Sequence, residues 1–184
     1  MPLCWVPVPG GTIRYGETAR PEYVGDLEVA LTPLTYGQVN QPGEPDMPVT
    51  GINHAEARRL ADLVGGRLPT SAEWEWLAAG TQQRPFPWGS QPWSPTLARL
   101  SGPTTHHDAP CPVGEYADGA TPDGLLDLAG NVWEWTASLT PDGAYIIRGG
   151  SYASKPLCGR STFVAVTHAE RRSSDIGLRP VRTS

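Results

Sequence analysis

Cysteine is scarce. Cys4, Cys111 and Cys158 are the three present in 184 residues, too few and too scattered for a disulfide framework or a four-cysteine zinc site, so a reducing compartment fits. Charge is thin as well: Asp, Glu, Lys and Arg make up 18% of the chain. Set beside seven Trp and six Tyr, that low charge argues for a folded chain even with 21 Gly and 20 Pro. No apolar run approaches the roughly 18 residues of a membrane span, so no membrane insertion is expected. Met1-Pro2-Leu3-Cys4-Trp5 has neither the basic start nor the apolar stretch of a secretion signal, which makes a cytoplasmic location the default expectation. Also missing are a Gly-x-Ser-x-Gly nucleophile elbow, a Walker loop and a dinucleotide fingerprint, and with them the most legible enzyme classes. There is no internal repeat, charge run or linker, and a single domain over 1–184 is the expectation.

What is present points to short elements joined by much irregular chain. Trp5-Val6-Pro7-Val8-Pro9-Gly10-Gly11-Thr12 and Leu27-Glu28-Val29-Ala30-Leu31 read as short strands between turn residues. Asn53 with Glu56 forms an Asn variant of the capping box, and Ala57, Leu60, Ala61 and Val64 recur at helical spacing before Gly65-Gly66, which predicts a helix over 54–64. Thr70 with Glu73 repeats the device for a helix over 71–79, with Trp74, Leu77 and Ala78 on one face. From Arg84 to Pro122 there is no period, so buried aromatics or bound cations are expected to hold that stretch. Leu125 to Trp135 and Tyr145 to Tyr152 are strand-like. His106, His107, Asp108 and Cys111 offer metal-ligating atoms in one loop, though the spacing is not that of a zinc finger and solvated or capping histidines are the plainer reading.

The net charge of −5 is unevenly spread, with seven Arg against 17 acids in residues 1–147. Residues 148–184 instead hold Arg148, Lys155, Arg160, Arg171, Arg172, Arg179 and Arg182 against Glu170 and Asp175. Internal pairing with the acidic remainder accounts for that basic end more simply than nucleic acid, which is not an expected partner.

Several blocks, in order, carry a resemblance: Arg67-Leu68-Pro69-Thr70-Ser71-Ala72-Glu73-Trp74-Glu75-Trp76, Phe86-Pro87-Trp88-Gly89, Asp127-Leu128-Ala129-Gly130-Asn131-Val132-Trp133-Glu134-Trp135-Thr136, Arg148-Gly149-Gly150-Ser151-Tyr152 and Ile176-Gly177-Leu178-Arg179. Together they resemble the formylglycine-generating enzyme (sulfatase-modifying factor) family nearly end to end. The resemblance implies an α+β domain of the C-type lectin-like fold, with two short helices, short antiparallel strands, much irregular chain, and paired first and last strands. The stretch between Leu34-Thr35-Tyr36 and Pro48-Val49 is short for the family, so substrate-binding loops are expected to be trimmed.

The resemblance also implies structural calcium, with the Asn131 side chain, the Val132 carbonyl and the Glu134 carboxylate as ligands, a donor set of the oxygen type calcium takes. Arg99 stands where a second site would need Asn after Ala98. The family's oxidase holds copper(I) between two cysteines, and their positions here carry Ser154 and Gly159, so copper and formylglycine generation are not expected and no catalytic residue is assigned. Cys158, one residue from the second position, reads as a half-buried hydrophobe.

The stretch from Ala153 to Asp175 departs furthest from the family, since Thr162-Phe163-Val164-Ala165-Val166-Thr167-His168 is apolar where a regularly placed Arg would fall at Val164. This looks like the variable protein of a diversity-generating retroelement, which uses the same fold as a fixed frame for a changing binding face. The expectation is a non-catalytic binding module for a protein or other macromolecule. Its contacts would come from Tyr152, Ala153, Ser154, Leu157, Cys158, Arg160, Phe163, Val164, Val166, His168, Arg171, Ser173, Ser174 and Asp175, with Arg172 also offered to acidic partners. Tyr152, Leu157, Phe163 and Val166 are expected to point outward; a buried strand at 162–168 is the competing reading. The alternative function is a metal-dependent, oxidase-related enzyme with an altered site.

Overall fold

A computed structural model describes residues 2–16 and 19–183. Strands β1 (Trp5–Val8), β2 (Gly11–Tyr15), β3 (Arg20–Val24) and β4 (Leu27–Ala30) precede helices α1 (His54–Leu63) and α2 (Ser71–Ala79). After a long irregular stretch come β5 (Trp133–Leu139), β6 (Tyr145–Arg148), β7 (Ala165–Thr167), β8 (Ile176–Gly177) and β9 (Val181–Thr183). They form an antiparallel sheet in the order β1-β4-β9, a β2-β3 hairpin, and a mixed sheet in the order β7-β6-β5-β8. This is the expected α+β, C-type lectin-like architecture.

One topological expectation is corrected. The first and last strands share a sheet but do not pair, because the β2-β3 hairpin brings the chain back so that β4 lies against β1, with Trp5 opposite Ala30. β9 then closes on the other edge of β4, where Arg182 Nε donates to Glu28 Oε2 at 2.6 Å.

Both helices start where their caps place them. Asn53 Oδ1 accepts the Glu56 amide and Glu56 Oε2 accepts the Asn53 amide, each at 3.0 Å. Thr70 Oγ1 and Glu73 Oε2 repeat the exchange at 3.1 and 2.8 Å. In each case two of the donors that a helix start leaves open are satisfied. A single apolar face on α2 proves too narrow an expectation: every residue except Glu73 is buried, because the helix is wedged between the β2-β3 hairpin and the β5-β6 strands.

Two strand-like stretches are shorter than their apolar residues imply. Leu125 to Val132 is turn, broken by positive φ at Asp127, Gly130 and Asn131 (56°, 78° and 58°), so the ladder starts only at Trp133. β6 ends at Arg148 because Gly149 and Gly150 turn the chain at φ of 95° and 79°, and a Cβ on Gly149 would lie 2.8 Å from the Leu128 carbonyl oxygen.

The repeated Trp-Glu pairs find their use in the core. Glu75 and Arg148, 1% and 0% exposed, pair at 2.6 Å, and Glu134 and Arg179, equally buried, pair at 2.9 Å. Trp74 links the two pairs: its Nε1 donates to Glu134 Oε2 at 2.6 Å, and the Arg148 guanidinium lies 5.1 Å from its ring centre. Arg179 also donates to the carbonyls of Ala30, Leu31 and Leu126, tying β4 and the turn before β5 to the closing segment. The irregular stretch is held by side chains reaching carbonyls, with Arg84 on Ala78 and Pro87 and Trp93 on Ala98, and by the stacked rings of Phe86 and Trp88.

Candidate functional site

The chain from Tyr152 to Asp175 leaves β6 through the double-glycine turn and returns at β8. Its first residue is a strut, contrary to the outward expectation. Tyr152 is 7% exposed; its amide donates to the Asn131 carbonyl at 2.9 Å, and its carbonyl accepts Ser101 Oγ at 2.8 Å. Ser154 is a second strut, its Oγ accepting the Ser151 amide at 3.0 Å and its carbonyl the Ser101 amide at 2.9 Å. Ala153 is exposed between them.

Residues 162–170 alternate strictly, with Thr162, Val164, Val166, His168 and Glu170 exposed and Phe163, Ala165, Thr167 and Ala169 partly covered. Within that stretch only Ala165–Thr167 is strand, where the period of two is the pleat. The expectation for Phe163 is corrected by its packing, since it precedes β7 at a turn and its amide donates to the Arg160 carbonyl at 3.0 Å. The Phe163 ring turns inward, its centre 6.2 Å from that of Trp133. Leu157 and Val166 are outward as expected, at 59% and 54% exposure, and Val164 joins them at 40%.

The last part of the segment is stapled to the frame. His54 donates its amide, the first of α1, to the Ala169 carbonyl at 3.0 Å, Asn53 Nδ2 donates to Glu170 at 2.9 Å, and Gly51 donates to the Ser173 carbonyl at 2.9 Å. Arg172 is committed to Glu56 through contacts of 2.5 and 2.6 Å, which draws the Glu56 carboxyl below its ordinary range, so it is not offered to partners. Ser173 Oγ donates to Asp175, whose carbonyl accepts the Trp133 amide at 2.8 Å, and Ser174 Oγ lies 3.3 Å from the Tyr152 hydroxyl. What remains for contact is the middle, Leu157 to His168, with Arg171 beside it.

A cavity of about 570 Å3 opens there, lined by Leu157, Arg160, Thr162, Phe163 and Val164, with Gly16 from the β2-β3 turn on the far side. Gly16 was not a sequence-derived site residue; no local signal in a turn glycine tells that it will face a segment more than a hundred residues on. The Arg160 guanidinium lies 5.8 Å from the Phe86 ring centre. Among the described residues Lys155, Arg160 and Arg171 form no salt bridge. Cys158 is half-buried, and burial pushes its thiol up, away from the thiolate that nucleophilic chemistry needs.

The proposed calcium ligands are close in the chain but their side chains are spent. Asn131 Oδ1 accepts the Cys111 amide at 3.0 Å and its Nδ2 donates to the Cys111 carbonyl at 3.2 Å. Glu134 accepts Arg179 on both oxygens and Trp74 on one, filling its acceptor sites. In this arrangement the Asn131, Val132 and Glu134 set does not fit the ion, because binding would first have to displace Arg179. The same corner contains Asp127, which the sequence reading passed over. Its buried carboxyl accepts the Gly114 amide at 2.6 Å and is pushed up to about 6 by desolvation. In the other loop, burial pushes the Cys111 thiol up to about 12, while His106 and Asp108 are exposed. Among the described residues no three His, Cys, Asp or Glu side chains form a metal-binding group.

A second cavity of about 450 Å3, also unanticipated, lies between α1 and the start of α2, lined among others by His54, Arg58, Asp62 and Tyr145. The His54 ring stacks on Tyr145 at 3.5 Å, and burial lowers its pKa.

The family profile described as the sulfatase-modifying factor enzyme 1-like domain matches residues 23–184. The chain belongs to this family. Among relatives of this sulfatase-modifying factor domain, hercynine oxygenase of Mycobacterium tuberculosis is 36% identical over 157 residues, covering 73% of this chain and 36% of the oxygenase. The chain thus spans well under half the length of that relative. Among solved structures, CarF superposes with a TM-score of 0.83 at 21% identity over 100% of this chain and 99% of its own. Treponema denticola variable protein 1 superposes at 0.75 and 18% identity, over 98% and 95%. At those identities the likeness is one of fold alone.

Proposed function

We propose that this domain is a ligand-binding module whose contact face is the middle of the segment between β6 and β8, from Leu157 to His168. One observation carries the reading: Leu157, Val164 and Val166 turn aliphatic side chains to solvent beside a cavity of about 570 Å3 whose wall includes Arg160, which forms no salt bridge among the described residues. Apolar surface grouped around a concavity and rimmed by charge is what a binding site presents. The frame supports this use, because Tyr152, Ser154 and residues 169–175 are bound to fixed elements at both ends while Leu157, Val164 and Val166 stay exposed between them. The Ser154 and Gly159 positions carry no thiolates, and both Cys111 and Cys158 are pushed toward the neutral thiol, which is why the reading is binding rather than oxidation.

A second reading is favoured by the 36% identity to hercynine oxygenase: a domain that serves a larger oxygenase, with the reacting metal held by residues outside this chain. Nitrogen-15 labelled protein titrated with hercynine, and separately with a pool of random peptides, separates the two. Peptide-induced shifts confined to 157–168 support the binding module. Hercynine-induced shifts without peptide response transfer the domain to the second reading.

A further inference from the structure

The binding face adjoins an open sheet edge. β7 is the outermost strand of its sheet; it pairs with β6 through Tyr145 opposite Thr167, Ile146 opposite Val166 and Ile147 opposite Ala165, with no strand of the described residues on its other side. Outside that ladder, no hydrogen bond among the described residues engages the backbone of Val164 to Thr167. The outward amides and carbonyls of β7 therefore lie unpaired, and proteins generally blunt such an edge with Pro, a charge on the strand or a covering loop. Here the strand is Ala165-Val166-Thr167, blunted by its three-residue length but by no charge and no Pro. Two cations lie close by, Arg160 on the cavity wall with Val164 and Arg171 just beyond the strand, both exposed and in no salt bridge among the described residues.

Resting on the binding reading above, we infer that the partner is an extended, acidic and aliphatic peptide segment that adds as a further strand to the free edge of β7. Backbone hydrogen bonds supply sequence-independent affinity in such an arrangement, and alternate side chains supply the choice of partner. One aliphatic side chain of the added strand enters the cavity beside Phe163 and Val164, and an Asp or Glu residue flanking it meets Arg160. Charge disfavours a basic segment: it would meet Arg160 and Arg171, and the nearby Glu170 already accepts Asn53 Nδ2.

The test selects binders from a phage-displayed library of random dodecapeptides on the immobilised protein, then measures synthetic copies by fluorescence anisotropy and nitrogen-15 NMR. Enriched peptides alternate aliphatic residues with Asp or Glu, their Kd rises about tenfold for Arg160→Glu, and their binding weakens with salt. On binding, hydrogen exchange slows at the outward amides of Val164–Thr167. The circular dichroism melt of Arg160→Glu matches that of the parent, so loss of binding is not loss of fold. Three outcomes overturn the inference: enrichment of basic peptides, no enrichment, or binders that leave the β7 amides unprotected. The last of these, combined with loss of binding in Leu157→Ser, rejects the added strand while keeping the face. Binding unaffected by Leu157→Ser, Val166→Asp and Arg160→Glu alike rejects the face itself.

Discussion

Replacing Arg148 with Met tests whether the buried ion pairs hold the frame beneath the binding face. Arg148 is fully buried, pairs with Glu75 at 2.6 Å, and donates to the Ser161 carbonyl at 3.0 Å. Arg148→Met leaves a carboxylate that is 1% exposed without its counter-charge and takes the donor from Ser161. Stranding one member of a buried pair costs about 3–5 kcal/mol, and in a chain of this length about 1 kcal/mol lowers Tm by roughly 2–4 °C. A fall on the order of 10 °C is therefore expected, well resolved by urea titration or calorimetry. The double variant Glu75→Leu with Arg148→Met removes both charges and should recover most of the loss, because an apolar pair of similar volume is often neutral relative to a buried ion pair. A single variant costing less than about 1 kcal/mol, or a double variant no more stable than the single, would refute the view that desolvated charge dominates this contact. The double variant still lacks the Ser161 contact, so binding at the adjacent face should weaken even where stability returns.

Phe163→Ala is expected to cost about 2 kcal/mol, near half of the 3–5 kcal/mol of a fully enclosed ring, because the ring is half-covered against Trp133; Val166→Ala should stay within about 0.5 kcal/mol. Asp127 gives a pH signature. Its carboxyl sits at about 6 when folded against an ordinary 3.8, so the unfolded chain ionises first. No cost applies below the unfolded value, and a penalty of about 3 kcal/mol builds between the two values and persists above them. Asp127→Asn keeps an oxygen for the Gly114 amide and should match the parent near pH 3.5 while exceeding its stability at pH 7.5, as read from urea midpoints; equal midpoints at both pH values would show that the site is more open to water. Chelator and added calcium should both leave Tm unchanged, since Glu134 is saturated by Arg179 and Trp74; a rise with calcium would mean that the ion displaces Arg179.

The sequence by itself determined the local structure and the family. Asn53 with Glu56 and Thr70 with Glu73 start helices at the expected residues because a capping box is satisfied within four residues of chain. The ordered Trp, Glu and Gly blocks identify the fold because each answers a fixed demand, such as the turn at Gly149 and Gly150 or the burial of Glu75 and Glu134 against Arg148 and Arg179. What the tertiary structure decided is which side chains are free. Arg172 and Arg160 look alike in the sequence, yet Glu56 takes the first and nothing among the described residues pairs with the second. Tyr152 and Phe163 read as exposed anchors, but contacts with Ser101 and Trp133 hold them inward. Exposure and pairing are set by contacts between residues far apart in the chain, and Gly16 reaching the cavity wall opposite Phe163 is one that no local pattern encodes.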